Sequence, residues 1–319
     1  MADEKTMPRY PVYVPSKGRY ESGYTIKFLT KDEVPFYIVV EPQEVEAYGS
    51  RYGYERLLVL PWSGDDAVRR AFCEERGIEN GGLIAVRNWI REHSIANGFA
   101  RHWQLDDNIR CIRRRMANGR RIPCNAGVAL RVAEDFTDRY SNVAISGLNY
   151  CMFLAPGENL PPFHLNCRVY SCSLINNELP FIWRLAYNDD TDICLQALAA
   201  GFCTILINAF GIEKMRTMVV KGGNTSDLYQ GEGRIKMARS LERVWPGVVT
   251  TDRRFKRPQH VVKDSWRLFD TPLQFREGVS LESLPMVDNY GMRVTKVKEI
   301  KNQNLAALVD ETPEDVQED

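Results

Sequence analysis

Short, unbroken apolar runs of four or five residues constrain this chain more than any other feature. Pro11–Pro15 (PVYVP), Phe36–Val40 (FYIVV) and Leu57–Leu60 (LLVL) are rich in β-formers and lack the polar alternation of a half-solvated strand, and His102–Leu105 (HWQL) reads as a fourth strand ending in acids. A strand that is apolar on successive residues is covered on both faces, the mark of a largely parallel sheet held between helices. Helical patterns separate the runs: Glu21–Lys31, Glu41–Tyr52 and the amphipathic Ala85–Phe99, which Asn97-Gly98 stops. Strand–helix alternation with right-handed crossovers predicts a doubly wound α/β sheet.

After Glu134 the texture changes. Strands are expected at Val143–Phe153, Arg168–Leu174 and Thr204–Asn208, and helices at Thr191–Ala200, closed by Gly201, and at Arg234–Val244. Gly222-Gly223 and Gly231–Gly233 mark loops. The predicted organisation is a main domain over 1–245, a C-terminal extension over 246–302 that packs on it, and a disordered acidic tail over 303–319.

With 319 residues, 44% of them hydrophobic, the chain can bury a full core without staples, which excludes collagen-like, coiled-coil and wholly disordered readings. No apolar run reaches the roughly 18 residues of a membrane span. The opening MADEKTMPRY is polar and carries acids, unlike a secretory or transit segment. Eight cysteines contain no C-x-x-C pair, so reduced thiols in a cytoplasmic protein are expected rather than disulfides or a zinc site.

The formal charge is zero, but six of the last ten residues are acidic: Asp310, Glu311, Glu314, Asp315, Glu318 and Asp319. Without them, 42 basic residues face 36 acidic ones. No acid lies between Asp107 and Glu134, while Arg110, Arg113, Arg114, Arg115, Arg120, Arg121 and Arg131 accumulate. Such a block suits an anionic partner; its bland alternative is a solvated surface.

Ligands of doubly wound sheets gather at the carboxyl ends of the strands. The residues there are Ser16-Lys17-Gly18-Arg19, Glu41, Trp62-Ser63 and Asp106-Asp107-Asn108. Adjacent acids followed by an amide suit Mg²⁺ or Mn²⁺ bridging nucleotide phosphates, since one or two carboxylates plus phosphates complete the octahedron. A polar turn with local backbone hydrogen bonds is the alternative. Tyr187-Asn188-Asp189-Asp190-Thr191-Asp192 precedes an apolar helix; one of its carboxylates can cap the helix, and a second is available as a general base. His260, in the polar stretch Arg257-Pro258-Gln259-His260, could reach a metal, whereas His93 and His102 read as packing or surface residues. Arg87, opening a helix, could clamp a diphosphate through a bidentate guanidinium. The glycine-rich stretches fit neither a dinucleotide fingerprint nor a P-loop, and no G-x-S-x-G elbow occurs.

PVYVPSKGR, FYIVVEPQE, LIAVRNWI, HWQLDDNI and NDDTDICLQALAAGF, in this order, resemble the TET-associated glycosyltransferase family, from about Tyr10 to about Trp266. That family is a branch of the GT-A-fold glycosyltransferases, found beside TET-type DNA dioxygenases, notably in bacteriophages. The resemblance implies a GT-A (Rossmann-like) α/β fold with a mixed, mostly parallel central sheet of about seven strands flanked by helices. It implies Asp106-Asp107-Asn108 as the D-x-D element, binding Mn²⁺ or Mg²⁺ and the donor, with His260 completing the metal shell. It also implies Asp190 as catalytic base, and Ser16, Arg19, Glu41 and Arg87 around the nucleotide and diphosphate. The implied reaction moves a sugar from a nucleotide-sugar donor, a UDP-sugar, onto the hydroxyl of 5-hydroxymethylcytosine in DNA made by a TET-like dioxygenase. Arg113, Arg114, Arg115, Arg120 and Arg121 then contact DNA phosphates. Three alternatives stay open on sequence: a protein or polysaccharide acceptor, a nucleotidyltransferase, or a non-catalytic DNA-binding module on a degenerate transferase fold.

Overall fold

The apolar runs become the parallel half of a large sheet. Val12–Pro15 (β1), Tyr37–Val40 (β2), Leu57–Val59 (β3) and Arg101–Leu105 (β4) pair side by side in the order β3-β2-β1-β4, every pairing parallel. A computed structural model describes residues 6–116, 118–154, 160–215, 233–254 and 257–287. The acidic tail, Gly222-Gly223 and Gly231-Glu232 lie outside the described residues.

Continuous apolarity has the expected cause. Val12 and Val14 of β1, with Ile38 and Val40 of β2, join one core layer, under helices Tyr24–Lys31 (α1) and Ala126–Thr137 (α5). Tyr13 and Val39 face the other layer with Ile84 and Ile90 of helix Ile84–Ala96 (α4) and Ile193 and Leu195 of helix Asp189–Ala199 (α6). Both faces of β1 and β2 are therefore buried, whereas β3, expected to be covered as well, is the edge strand and is half-buried with Val59 exposed. Val45–Tyr52 (α2) and Ala67–Glu75 (α3) complete the helices of the first half.

The second half extends this sheet. Its strands are Ile109–Arg115 (β5), Arg121–Cys124 (β6), Val143–Tyr150 (β7), Phe163–Leu165 (β8), Cys172–Asn176 (β9) and Cys203–Lys214 (β10). The full order is β3-β2-β1-β4-β9-β7-β10-β5-β6, with β8 on β10, so the described sheet has ten strands where about seven were expected. It is mixed: β7–β10 is parallel, and β9, β8, β5 and β6 join antiparallel. An α/β architecture with a large mixed sheet between helices agrees with the GT-A kind.

Strand direction positions the site. Because β9 runs against both β4 and β7, strands β1, β2, β4, β7 and β10 share one direction, and their carboxyl ends share one edge. Pro15, Val40, Leu105, Tyr150 and Lys214 end these strands at that edge, and the start of β9 returns there beside Ser171. Beyond β10, helix Gly233–Val244 (α7) packs against a hairpin of Val249–Arg254 (β11) and Arg257–Val262 (β12). The stretch holding His260, expected as a polar loop, is thus a strand, paired His260 to Thr251. Val249, Val262 and Trp266 enter the second core layer. No helix among the described residues is long and apolar enough to cross a membrane.

Candidate active site

Asp106 and Asp107 leave the end of β4 as the strand-end argument requires. Their turn is fixed from three sides: the Asp106 amide donates to Ser171 O (2.8 Å), Thr25 Oγ1 donates to Asp106 O (2.5 Å), and Asn108 Nδ2 donates to Met215 O (2.8 Å). Asp107 turns toward β1. Arg19 Nη1 meets its Oδ1 at 2.5 Å and Ser16 Oγ donates to its Oδ2 at 2.8 Å. Tyr48, buried on α2, links this layer: Arg19 N–H donates to its Oη at 3.0 Å, and that oxygen lies 2.7 Å from Ser16 Oγ. Burial pushes the Asp107 carboxyl up, against the lowering charge of Arg19.

The second acidic stretch arrives by a different route. After β9 the chain climbs back through Trp183, whose amide donates to Asn88 Oδ1 (3.1 Å) while Asn88 Nδ2 donates to Trp183 O (2.6 Å). Gly81 and Gly82 allow this segment to dock on the start of α4, since a Cβ on either would sit 2.8 Å from an Ala186 atom, and Gly82 has φ +52. Asn188, itself left-handed at φ 55, starts α6 and is held by its Nδ2 donating to Met237 O on α7 (2.7 Å). No side chain caps this helix. Asp192 is structural: fully buried, it accepts from Arg184 Nη2, Trp245 Nε1 and Gln196 Nε2 at 2.9, 2.7 and 2.9 Å.

Asp189 and Asp190 remain, and Arg87 joins them to the first stretch. Its guanidinium lies 2.8 Å from Asp189, 3.4 Å from Asp190 and 3.6 Å from Asp106. Gln104 Oε1 accepts from Arg87 Nη1 at 3.2 Å, and Gln104 Nε2 donates to Arg87 O at 3.1 Å. His102, fully buried behind Gln104, lies with its Nε2 2.9 Å from Gln104 Nε2 and its Nδ1 2.6 Å from Asn177 Oδ1, a packing role as expected.

One cationic residue escaped the sequence reading. Lys214, at the end of β10, lies 2.9 Å from Asp106 Oδ2 and donates to Ser171 Oγ (3.0 Å) and Tyr150 Oη (3.4 Å). Against burial, the charges of Lys214 and Arg87 hold Asp106 down at about 2. Asp190 goes the other way: withdrawal from water, then the like charges of Asp189 and Asp106, push it up to about 7 despite Arg87 and Lys214. Two neighbouring acids with separated affinities are the material of acid–base chemistry. Lys214 follows the same strand-end rule as Asp106, but the apolar run was ended at Asn208, before the strand finishes.

These residues line one cleft of about 260 Å³, with Ser16, Arg19, Glu41, Arg87, Asp106, Asp107, Asn108, Asp190 and Lys214 in its wall and Val39, Leu60, Leu83 and Val86 as an apolar side. Glu41 is fixed there by Lys17 Nζ (3.0 Å) and the Gly64 amide (3.1 Å). His260 is not in that wall; on β12 it faces the charge of Arg168, and its Nε2 is buried without a hydrogen-bond partner. Arg113, Arg114, Arg115, Arg120 and Arg121 also lie outside it, on the β5–β6 ribbon at the sheet edge.

A divalent cation fits these residues poorly. Both oxygens of Asp107 are engaged by Arg19 and Ser16, and those of Asp106 face Lys214 and Arg87. Asn108 Oδ1 is buried and unpartnered, one neutral oxygen where a cation needs several. No group of three or more His, Cys, Asp or Glu side chains converges as a metal site among the described residues.

Comparison with known families agrees with this picture. The family model described as TET-Associated Glycosyltransferase matches residues 10–223, two thirds of the chain, and the chain belongs to that glycosyltransferase family. No curated protein matches the chain significantly.

Proposed function

We propose that the chain transfers a sugar from a nucleotide-sugar, a UDP-sugar, to the hydroxyl of 5-hydroxymethylcytosine in DNA, with Asp190 as general base. The observation that supports it most is the convergence on Arg87 of Asp106 and the Asp189–Asp190 pair, 84 positions apart in sequence. In this reading the nucleoside lies along Val39, Leu60, Leu83 and Val86, and its diphosphate faces the basic side chains of Arg87 and Lys214. Asp190 takes the hydroxyl proton as that oxygen bonds to the anomeric carbon. The bond from the same carbon to the diphosphate breaks, and its electron pair leaves with the nucleoside diphosphate. A carboxyl poised near neutrality suits that role.

The position of the arginines supports DNA as acceptor. The β5 strand begins directly after the Asp106–Asn108 turn and carries its arginines away from the cleft along the sheet edge. A DNA backbone on that ribbon brings an extruded base toward the cleft. A dioxygenase acting before this enzyme supplies the hydroxymethyl group.

The test is direct. DNA bearing 5-hydroxymethylcytosine, and matched unmodified DNA, are incubated with the protein, Mn²⁺ and a panel of UDP-sugars, and the nucleosides are weighed by mass spectrometry. A hexose-sized gain on the modified base alone, lost in Asp190→Asn, is expected. No gain with any donor from folded protein overturns the assignment; gain on a protein or glycan acceptor instead moves it to that substrate class.

A further inference from the structure

We propose that Lys214, with Arg87, provides the positive charge against the donor diphosphate that a divalent ion would otherwise provide, so that this cleft binds a nucleoside diphosphate without metal. The inference rests on the sugar-nucleotide reading above and deepens it. It begins with the oxygens: both Asp106 and Asp107 already meet basic or hydroxyl partners, at 2.5 to 2.9 Å for three of the four contacts and 3.6 Å for the fourth.

Lys214 is built into this position. Its side chain is 13% exposed, enough to face the cleft and too little to swing into solvent. Three oxygens surround the ammonium, from Asp106, Ser171 and Tyr150, and Tyr150 is itself 2.7 Å from Ser171. The β10–β5 ladder shifts register between Glu213 and Lys214, which pair with Cys111 and Ile109 and skip Arg110. The extra residue of this bulge is Arg110 on β5, and Lys214, the last residue of β10, stands opposite Ile109 beside it.

A cation coordinated by Asp106 would stand about 2 Å from an oxygen that Lys214 already approaches at 2.9 Å, placing two like charges within a few ångströms. The Tyr150 contact, the longest of the three, is the one a phosphate oxygen can replace. No bond changes in this step. The lysine holds charge where the departing diphosphate develops it.

Binding of UDP, with ADP and GDP in parallel, is measured by calorimetry on the full chain in EDTA and again in Mn²⁺. Binding of Mn²⁺ alone is followed by electron paramagnetic resonance. The expected result is diphosphate affinity equal within about twofold in the two buffers, and no tight Mn²⁺ site. Lys214→Met should weaken binding by about tenfold to a hundredfold, as loss of a charge-assisted hydrogen bond does, without rescue by Mn²⁺. Lys214→Arg should keep most of it.

Asp106→Asn is the second arm, should Lys214→Met fail to fold. Loss of a metal ligand abolishes metal-dependent binding, whereas loss of a charge partner releases Lys214 and leaves binding equal or tighter. Binding that requires Mn²⁺ and survives Lys214→Met overturns this inference and leaves the transferase reading standing. Absence of nucleoside diphosphate binding in either buffer overturns both.

Discussion

Arginine serves two opposite ends in this molecule. In the cleft, Arg87 is buried and ringed by Asp106, Asp189 and Asp190. On the β5–β6 ribbon, Arg120 in the connecting turn and Arg121 on the edge strand are exposed, and Arg110 and Arg113 share the single acid Glu213. Removing a guanidinium from water is costly, so a buried one needs partners that fix its position, and at Arg87 these are three carboxylates. Exposed arginines are screened by salt and loosely placed, which suits contacts to phosphates that need charge without geometry. The contrast separates a place where chemistry can be aimed from a place where a polyanion can be held.

Breaking the buried side has the largest effect. Arg87→Met leaves three carboxylates facing one another without their common counter-charge, and roughly 3–5 kcal/mol of stability should be lost. Thermal or urea unfolding checks this, and an unchanged midpoint would mean that the acids do not depend on Arg87. Asp190→Asn is milder on the fold and severe on the reaction. Turnover should fall by about 10²–10⁴ with the melting temperature and donor binding retained, as loss of a general base predicts.

The pH profile sharpens the same side. Asp190 must be ionised to accept a proton, and burial with the like charges of Asp189 and Asp106 raises it to about 7. The rate kcat/KM should therefore climb with pH through about 7 and level off above it. Asp189→Asn removes one of those like charges, so the midpoint should move to lower pH. A profile flat from pH 5 to 9 would remove Asp190 from the proton-transfer step.

How far this was readable from sequence follows from the same physics. Runs such as PVYVP and FYIVV are unambiguous because both faces of a parallel strand are buried, so β1, β2 and β4 and the residues at their ends were visible. The acid pair before α6 was visible as a helix start, but its meeting with Asp106 depends on strand β9 reversing direction, which no local pattern encodes. In sequence the β5–β6 ribbon is only a basic cluster, since Ile-Arg-Cys-Ile-Arg-Arg-Arg lacks strand periodicity and Pro123 sits in its partner, tolerated there because β6 is an edge. Strands β3 and β8, three residues each, are near the lower limit of any pattern, and β8, with β5 and β6, makes up the three strands beyond the seven expected. His260 read as a loop because RPQH has no β signature; its pairing with Thr251 is a tertiary fact.

The smallest effect tests the exposed side. Arg114 and Arg120 carry charge on the ribbon away from the cleft wall, and neither has a core role to lose. Changing either to Gln should leave unfolding within about ±0.5 kcal/mol of the parent. If DNA phosphates lie on this ribbon, each substitution should lower the slope of log K against log salt by about 1 and weaken binding equally across sequences. Turnover on a free nucleoside acceptor should not change, because the cleft is untouched. Substitutions that reduce turnover on the nucleoside while leaving the salt slope intact would reverse the division of labour: the ribbon would then support the cleft, and the polyanion would have to meet another surface.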